Sequence, residues 1–359
     1  MSNFEPSKLV KGQALFLNNV TKGEWRLPDT AVLSSMYLGQ KANPFLAGLR
    51  KSEERAVSAY MPIRRAKGTG TERSFEHEGE RGDSKESTLD WNSLTEEFSI
   101  SIKQNDNNMI SFEQNYASQM NGCIMNLMER HEAALIALVI TDRTEINKGV
   151  IQGTFNPDDN VMEVNNSASD RFFHNIKTSM SNNLFNSNIM VIADSLSYMN
   201  AEFLASQKTM NATNLGYQFA GLNIMPTTSE IDPDYEGSAL AFSMDSVGII
   251  PWIPLVNRGN LDVRDAMSYN GSWGKVTVPI LDAKGNTAYT LDFAIHSYAT
   301  RADNSNKGGS KQDLTIEVEI SLDLAYLSNP LSSHRATGAW AGKTDSMVYQ
   351  FGLLTGGAQ

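Results

Sequence analysis

Cysteine is almost missing: Cys123 is the single one in 359 residues, which excludes an internal disulfide framework and any cysteine-based zinc site. Histidine is scarce too. The five histidines (His77, His131, His174, His296 and His334) are scattered and none pairs at metal-ligand spacing. Charged residues are slightly scarce at 20% and apolar ones a little low at 40%, the gap being filled by Asn, Ser, Thr and Gly. The formal net charge is -11, so the clustered basic face of a nucleic-acid reader is not expected; the acidity suits a chain that stays soluble at high concentration or does not stick to a packaged polyanion. No apolar run approaches the roughly 18 residues that span a bilayer, and Met1 to Gly12 has no apolar signal core. The sequence therefore predicts a soluble protein made in a reducing compartment, without a membrane partner.

Catalytic motifs are also lacking. His131-Glu132 opens like a zinc-peptidase helix, but Leu135 and Ile136 stand where the second histidine belongs. GTGTER at Gly68 lacks the third glycine and the following helix of a nucleotide-binding turn, and no phosphate loop or nucleophile elbow occurs. The stretch from Asp303 to Gly308 opens like a calcium loop, yet Lys307 has the wrong charge and Leu314 replaces the bidentate glutamate. Two carboxylate pairs remain, Asp158-Asp159 and Asp232/Asp234, for which solvated turns outweigh a cation site or an acid/base pair. The expectation is no enzyme, no cofactor and no metal.

What is present is organised around one long helix, predicted from Ser111 to Asn147. Apolar residues fall at Met120, Ile124, Leu127/Met128, Leu135 and Leu138, one face at a period near 3.6. Ser111 and Gln114 form a capping box, and Glu113 suits the positive end of the helix dipole. Ala133 to Ile140 is apolar all round, which predicts burial on every side.

Upstream, residues 1 to 57 carry short apolar runs broken by Asn18-Asn19, Gly23, Pro28 and Pro44. Too little apolar surface gathers there to offset ordering entropy, so a coreless arm lying along another surface is expected. Tyr60 to Ile63 reads as strand, and Phe98, Ile100 and Ile102 alternate with Ser99, Ser101 and Lys103 as a second strand. Between them Arg64 to Glu86 carries six basic and six acidic residues with Gly68, Gly70, Gly79 and Gly82. That predicts a two-stranded projection meeting a neighbouring subunit through mixed-sign ion pairs, each weak alone.

Downstream of the helix, Gln152 to Asn166 reads as polar loop and Asp170 to Met180 as a helix with Phe172, Phe173, Ile176 and Met180 on one side. Asn188 to Ile192 reads as a buried strand, Ser195 as the cap of a helix through Gln207, and Gly216 to Met225 as strand, turn, strand. After an acidic loop at Ile231–Gly237, Ala239 to Trp252 reads as one more strand. This β-α-β-β block predicts a lobe with its own core. From Lys275 the pattern is antiparallel: Val276, Val278 and Ile280, a turn at Asp282–Asn286, then Tyr289, Leu291, Phe293 and Ile295. A flexible loop, Arg301 to Gln312, precedes the cleanest alternation, Ile316, Val318, Ile320, Leu322 and Leu324 against Glu317, Glu319, Ser321 and Asp323. Residues 331 to 359 are Gly/Ser-rich with a short final run, Met347 to Leu354.

In this order the parts resemble the major capsid protein of tailed bacteriophages, with its HK97-type fold. The stretches that carry the likeness are EEFSISI leading into NYASQMNGCIMNLMERHEAALIALV, then NIMVIADSLSYMNAEFL, and YQFAGLNIMPTT followed by ALAFSMDSVGIIPW. The resemblance implies an α+β fold: an N-terminal arm (1–57), an extended loop (58–103), a spine helix (104–150), an axial domain (151–261), peripheral strands with a flexible loop (262–330) and a C-terminal segment (331–359). It implies a structural subunit that self-assembles into hexamers and pentamers of an icosahedral or prolate capsid around packaged double-stranded DNA, bound without sequence specificity. Inter-subunit contact then falls to Arg64, Arg65, Lys67, Arg73, Glu76, Glu78, Glu80, Arg81, Lys85 and Glu86 of the extended loop. Further implied partners are a separate scaffold protein, a portal and a decoration protein, with synthesis in a host cytoplasm. Some relatives crosslink a loop lysine, and Lys67 and Lys85 occupy that loop, but no matching partner sequence is found. Three alternatives stay open: an encapsulin-like nanocompartment shell, a carboxylate-dependent hydrolase using Asp232 and Asp234, and a tail-tube protein, against which the long spine counts.

Overall fold

A computed structural model describes residues 7–25, 49, 54–62, 84–102, 110–141, 143, 153–182, 189–199, 222–243, 247–259, 271–281, 287–302, 313–328 and 348–354. The first element is a helix, α1 (Ser7–Thr21), with Leu9, Gly12, Phe16 and Val20 buried at steps of three and four residues. The segment expected to lie along another surface packs this helix into the core around the long helix that follows. Asn18 faces solvent, so the polar pair that interrupts the sequence pattern leaves the apolar stripe intact.

Strands β1 (Ser58–Pro62) and β2 (Ser84–Thr88) pair antiparallel from Ser58↔Thr88 to Pro62↔Ser84, and β3 (Asp90–Ser101) follows at once. Phe98, Ile100 and Ile102 are buried, as their alternation predicts. The long helix is α2 (Phe112–Thr141), 30 residues. Its capping box forms: Ser111 Oγ accepts from the Gln114 amide at 3.2 Å, and Gln114 Oε1 accepts from the Ser111 amide at 3.2 Å. Met120, Ile124, Leu127, Met128, Leu135 and Val139 are buried. Gly12 of α1 is what lets the two helices close up, because a β-carbon there would lie 2.6 Å from Cδ1 of the fully buried Tyr116. Two corrections concern the helix end. Ala133 and Ala137 are exposed, since α1 and the sheet cover only part of the circumference. The helix stops at Thr141, short of Asn147, where β-branched Ile140 and Thr141 precede Arg143, which leaves to bridge the backbone of Val348; residues 144–147 lie outside the described ones.

The lobe opens with a hairpin, β4 (Gly153–Asn156) and β5 (Val161–Val164), in the stretch expected to be loop. The polar run builds the turn: Asn156 Oδ1 accepts from the Asp158 amide at 3.0 Å, and Asn160 takes φ 54. Val161, Met162 and Val164 are buried. A 3-10 turn, Asn166–Arg171, leads into α3 (Phe172–Asn182), which buries Phe172, Phe173, Ile176 and Met180. Strand β6 (Ile189–Asp194) is buried throughout. At its end the helical cap is Asp194, not Ser195: Asp194 Oδ1 accepts from the Ser197 amide at 2.8 Å, while the Ser195 hydroxyl donates to Thr227 O at 3.3 Å. The helical turn is described over 195–199 and its predicted continuation to Gln207 lies outside. Strand β7 (Asn223–Thr227) pairs parallel to β6; the first part of the predicted strand-turn-strand, 216–221, lies outside the described residues.

The stretch expected as one strand over 239–252 is two strands in two different sheets. β8 (Gly237–Ser243) pairs β6, whereas β9 (Val247–Trp252) crosses to pair a distant strand. β10 (Ser272–Leu281) and β11 (Thr287–Ala302) make the predicted hairpin, whose turn at 282–286 lies outside the described residues. β12 (Asp313–Ser328) pairs β11 and β9 along one edge and β3 along the other, giving a five-stranded sheet with β10 outermost. Its inner face, with Val278, Phe293, Ile295, Ile316, Val318, Ile320 and Leu322, shares one core with α1 and α2. The final run is β13 (Val348–Leu353), and it is no appendage. It lies inside the six-stranded lobe sheet, β4-β5-β13-β8-β6-β7, parallel to β5 and antiparallel to β8. Gly352 permits this insertion, since the Tyr235 ring lies where its β-carbon would stand.

Candidate assembly surfaces

The two-stranded ribbon is continuous beyond its named strands. The Leu89 amide donates to Val57 O at 3.0 Å, Trp91 Nε1 donates to Ala56 O at 2.7 Å, and Arg55 donates to Ser93 Oγ at 2.8 Å. Residues 55–62 therefore run antiparallel to 84–93, and the ribbon extends from the Asp90 end of β3. Its base is pinned to the outward side of the five-stranded sheet. Arg55 lies 3.6 Å from Asp323 and 5.6 Å from the Trp252 ring centre, and Trp91 meets Trp252 edge to face at 6.4 Å. Leu89, Ile250, Ala325 and Leu327 form a small separate core below, with Leu49, Ala56 and Trp91 packed on it. Arg55 is about half exposed, so its ion pair contributes on the order of 0–1 kcal/mol, with a comparable gain from the indole face. The buried apolar cluster does most of the anchoring.

Of the expected contact residues, Arg64, Arg65, Lys67, Arg73, Glu76, Glu78, Glu80 and Arg81 lie outside the described residues. Lys85 and Glu86 fall in β2, where Glu86 is exposed.

One carboxylate of each pair, Asp232 and Asp159, has a structural partner. Asp232 accepts from Gln350 Nε2 at 2.7 Å and lies 3.7 Å from Arg143, while its other oxygen caps the Asp234 amide at 3.2 Å. Arg143 in turn donates to Gln350 Oε1 at 2.6 Å. This clasp ties the residue just past α2 to the fully buried Gln350 in the centre of the lobe sheet and to the acidic turn. Sequence reasoning missed it, because its three members are far apart in the chain and come together only once β13 is inserted. Asp159 accepts from Asn156 Nδ2 at 3.0 Å within the β4–β5 turn. The described residues hold no group of three His, Cys, Asp or Glu side chains able to bind a metal ion.

His131 is fully buried between α2 and the sheet and donates from Nε2 to Leu322 O at 2.9 Å. Burial lowers its pKa from 6.5 to about 4, the bond to Leu322 O opposing that shift and the Arg130 charge adding to it. Cys123 is buried, and its thiol is pushed up to about 11 by burial and then by the Glu96 charge, so it is a core residue without thiolate character. No helix among the described residues is long and apolar enough to cross a membrane.

No family model matches the chain, and none of the curated proteins does. Among solved structures it is similar to a chain of Mycobacterium phage Che8, at 8% identity and TM-score 0.48, over 91% of this chain and 92% of that one. It is also similar to a chain of the cyanophage A-1(L) capsid asymmetric unit, at 12% identity and TM-score 0.48, over 92% and 94%. A third is a chain of the bacteriophage PhiM1 mature capsid, at 11% identity and TM-score 0.39, over 84% and 83%. All three of these chains come from phages, and two of them are capsid chains.

Proposed function

We propose that the chain is a structural subunit that self-assembles into hexamers and pentamers of an icosahedral or prolate capsid enclosing double-stranded DNA. The observation that carries this is the ribbon. Residues 55–62 and 84–93 leave the sheet as a two-stranded extension with a small core at its base, in a chain whose spine helix and two sheets are otherwise well packed. An isolated two-stranded ribbon is marginal in water, so a neighbouring surface is what stabilises it. On this reading Arg64, Arg65, Lys67, Arg73, Glu76, Glu78, Glu80, Arg81, Lys85 and Glu86 meet a neighbouring subunit. The segment 1–57 acts as an arm whose helix α1 rides on the spine, 151–261 as an axial lobe and 262–330 as peripheral strands. A scaffold protein, a portal and a decoration protein are the further partners proposed, and the site of action is the virion capsid.

Deleting 69–86 tests the loop's role. The expected product is a folded subunit that assembles poorly; normal shells of unchanged stability remove that role. Asp234→Asn assembles like the parent chain, because the Asp234 side chain has no part in the clasp; lost hydrolytic activity with assembly intact would instead point to an enzyme.

A further inference from the structure

We propose that residues 348–353 are a separable strand: they enter a slot between β5 and β8, and the turn 231–236 closes over them as a strap. The strand and its strap are independent of the shell-subunit reading. Among the described residues β5 pairs with β4 and β13, and β8 pairs with β13 and β6. Without β13 the lobe sheet is two pieces, β4-β5 and β8-β6-β7, each with an open strand edge of the kind that takes up an added strand.

Those two pieces are local. β4 joins β5 across a short turn, and β6, β7 and β8 all come from 189–243. β13 follows β10, β11 and β12 in the chain, so its pairing with 161–164 and 237–243 closes the longest loops of the lobe and forms after the pieces themselves. Main-chain bonds to both neighbours hold it, and its side chains alternate into two cores: Val348 joins that of the spine, whereas Tyr349, Phe351 and Leu353 join that of α3.

The strap grips what has entered. On the spine side, Asp232 accepts from Gln350 Nε2 at 2.7 Å. The Tyr235 ring crosses over Gly352, where it leaves no room for a β-carbon, and the Tyr235 hydroxyl donates to Glu163 of β5 at 3.2 Å. The Glu236 amide donates to Leu353 O at 3.0 Å, and Glu236 Oε2 accepts from Asn166 Nδ2, just past β5, at 2.9 Å. The turn thus leads from β8 across β13 to the β5 side. Its contacts with Gln350, Gly352 and Leu353 exist only while β13 is in place, so filling the slot and closing the strap are coupled.

The test is strand exchange in the full chain. A protease site with Gly-Ser flanks is inserted after Gly338, the folded chain is cut, and a dye-labelled peptide of residues 345–356 is added. The uncut insertion chain is expected to melt as the parent does. The cut segment is expected to be replaced slowly by the peptide, and at least about tenfold faster in Tyr235→Ala, where the strap stands open. A Gly352→Ala peptide is expected to be refused by the parent lobe and admitted by Tyr235→Ala, which frees the space that the added carbon needs. Peptide uptake by neither chain, equal exchange rates in both, or equal uptake of a scrambled peptide each overturns the proposal. Particle formation is scored on the uncut parent chain, so the shell-subunit reading stands or falls separately.

Discussion

In the five-stranded sheet, β12 alternates, with Ile316, Val318, Ile320 and Leu322 buried and Glu317, Glu319 and Ser321 partly open. In the six-stranded sheet, β6, β8 and β13 are buried at every position. The lobe sheet is packed on both faces: Val191, Ala241, Tyr349 and Phe351 lie against α3 and the β5 side chains, while Ile192, Leu240, Phe242 and Val348 join the core of the spine. A one-sided sheet keeps a polar face available to partners, whereas a two-sided sheet is an internal joint. The difference leaves the first sheet one polar face toward solvent and makes the second a joint inside the subunit.

Phe351→Asp breaks the internal joint. A carboxylate placed at a fully buried position of the central strand is expected to cost about 4 kcal/mol or more, giving an insoluble chain or a collapsed denaturant midpoint. A soluble, cooperatively unfolding variant would sink the two-sided description. The matching outward change, Ser99→Asp, sets a second carboxylate opposite Glu317 and is expected to cost about 1 kcal/mol or less, and the contrast between the two is the sharper readout.

The next largest effect is a pH dependence at the spine. His131 stays neutral in the folded chain down to about pH 4, while in the unfolded chain it takes a proton near 6.5. Between those values the unfolded state binds more protons, so stability is full above 6.5 and falls as the pH drops toward 4, by on the order of 3 kcal/mol. His131→Gln removes this component. Urea midpoints across that window check it; identical slopes in parent and variant would show that His131 carries no part of the acid sensitivity.

Gly12→Val separates α1 from Tyr116 and is expected to cost about 1–3 kcal/mol, read as faster amide exchange confined to α1 and the facing turns of α2. Unchanged protection would mean that the helix pair tolerates the added carbons. Smallest is Arg55→Ala at the ribbon base, about 1 kcal/mol or less, seen as faster exchange of the Leu89 amide. An unaltered rate would leave the small apolar cluster as the whole anchor.

Much of the one-sided architecture is legible in the sequence, since alternation and a 3.6 period report a single buried face. The capping box at Ser111, the strands over 98–102 and 316–324 and the α3 stripe follow from those signals. Elements buried all round give no periodic signal. Ala239 to Trp252 thus reads as one strand although it changes sheets, and Met347 to Leu354 gives no hint that it fills the middle of the lobe. Helix α1 is hidden because Asn18-Asn19 look like a break unless the stripe of Leu9, Phe16 and Val20 is tracked through them. The β4–β5 hairpin is hidden because its turn is so polar. Of the candidate surface, the charge pattern over 64–86 is legible, but the Arg55 anchor and the Arg143–Gln350–Asp232 clasp depend on residues brought together from distant parts of the chain.

The most direct test of the account is electron microscopy of the purified chain beside its sedimentation profile. Rings of five and six subunits, or closed shells tens of nanometres across, are the predicted result. A chain that sediments as a monomer at all concentrations, and forms neither rings nor shells when its partner proteins are co-expressed, would contradict it.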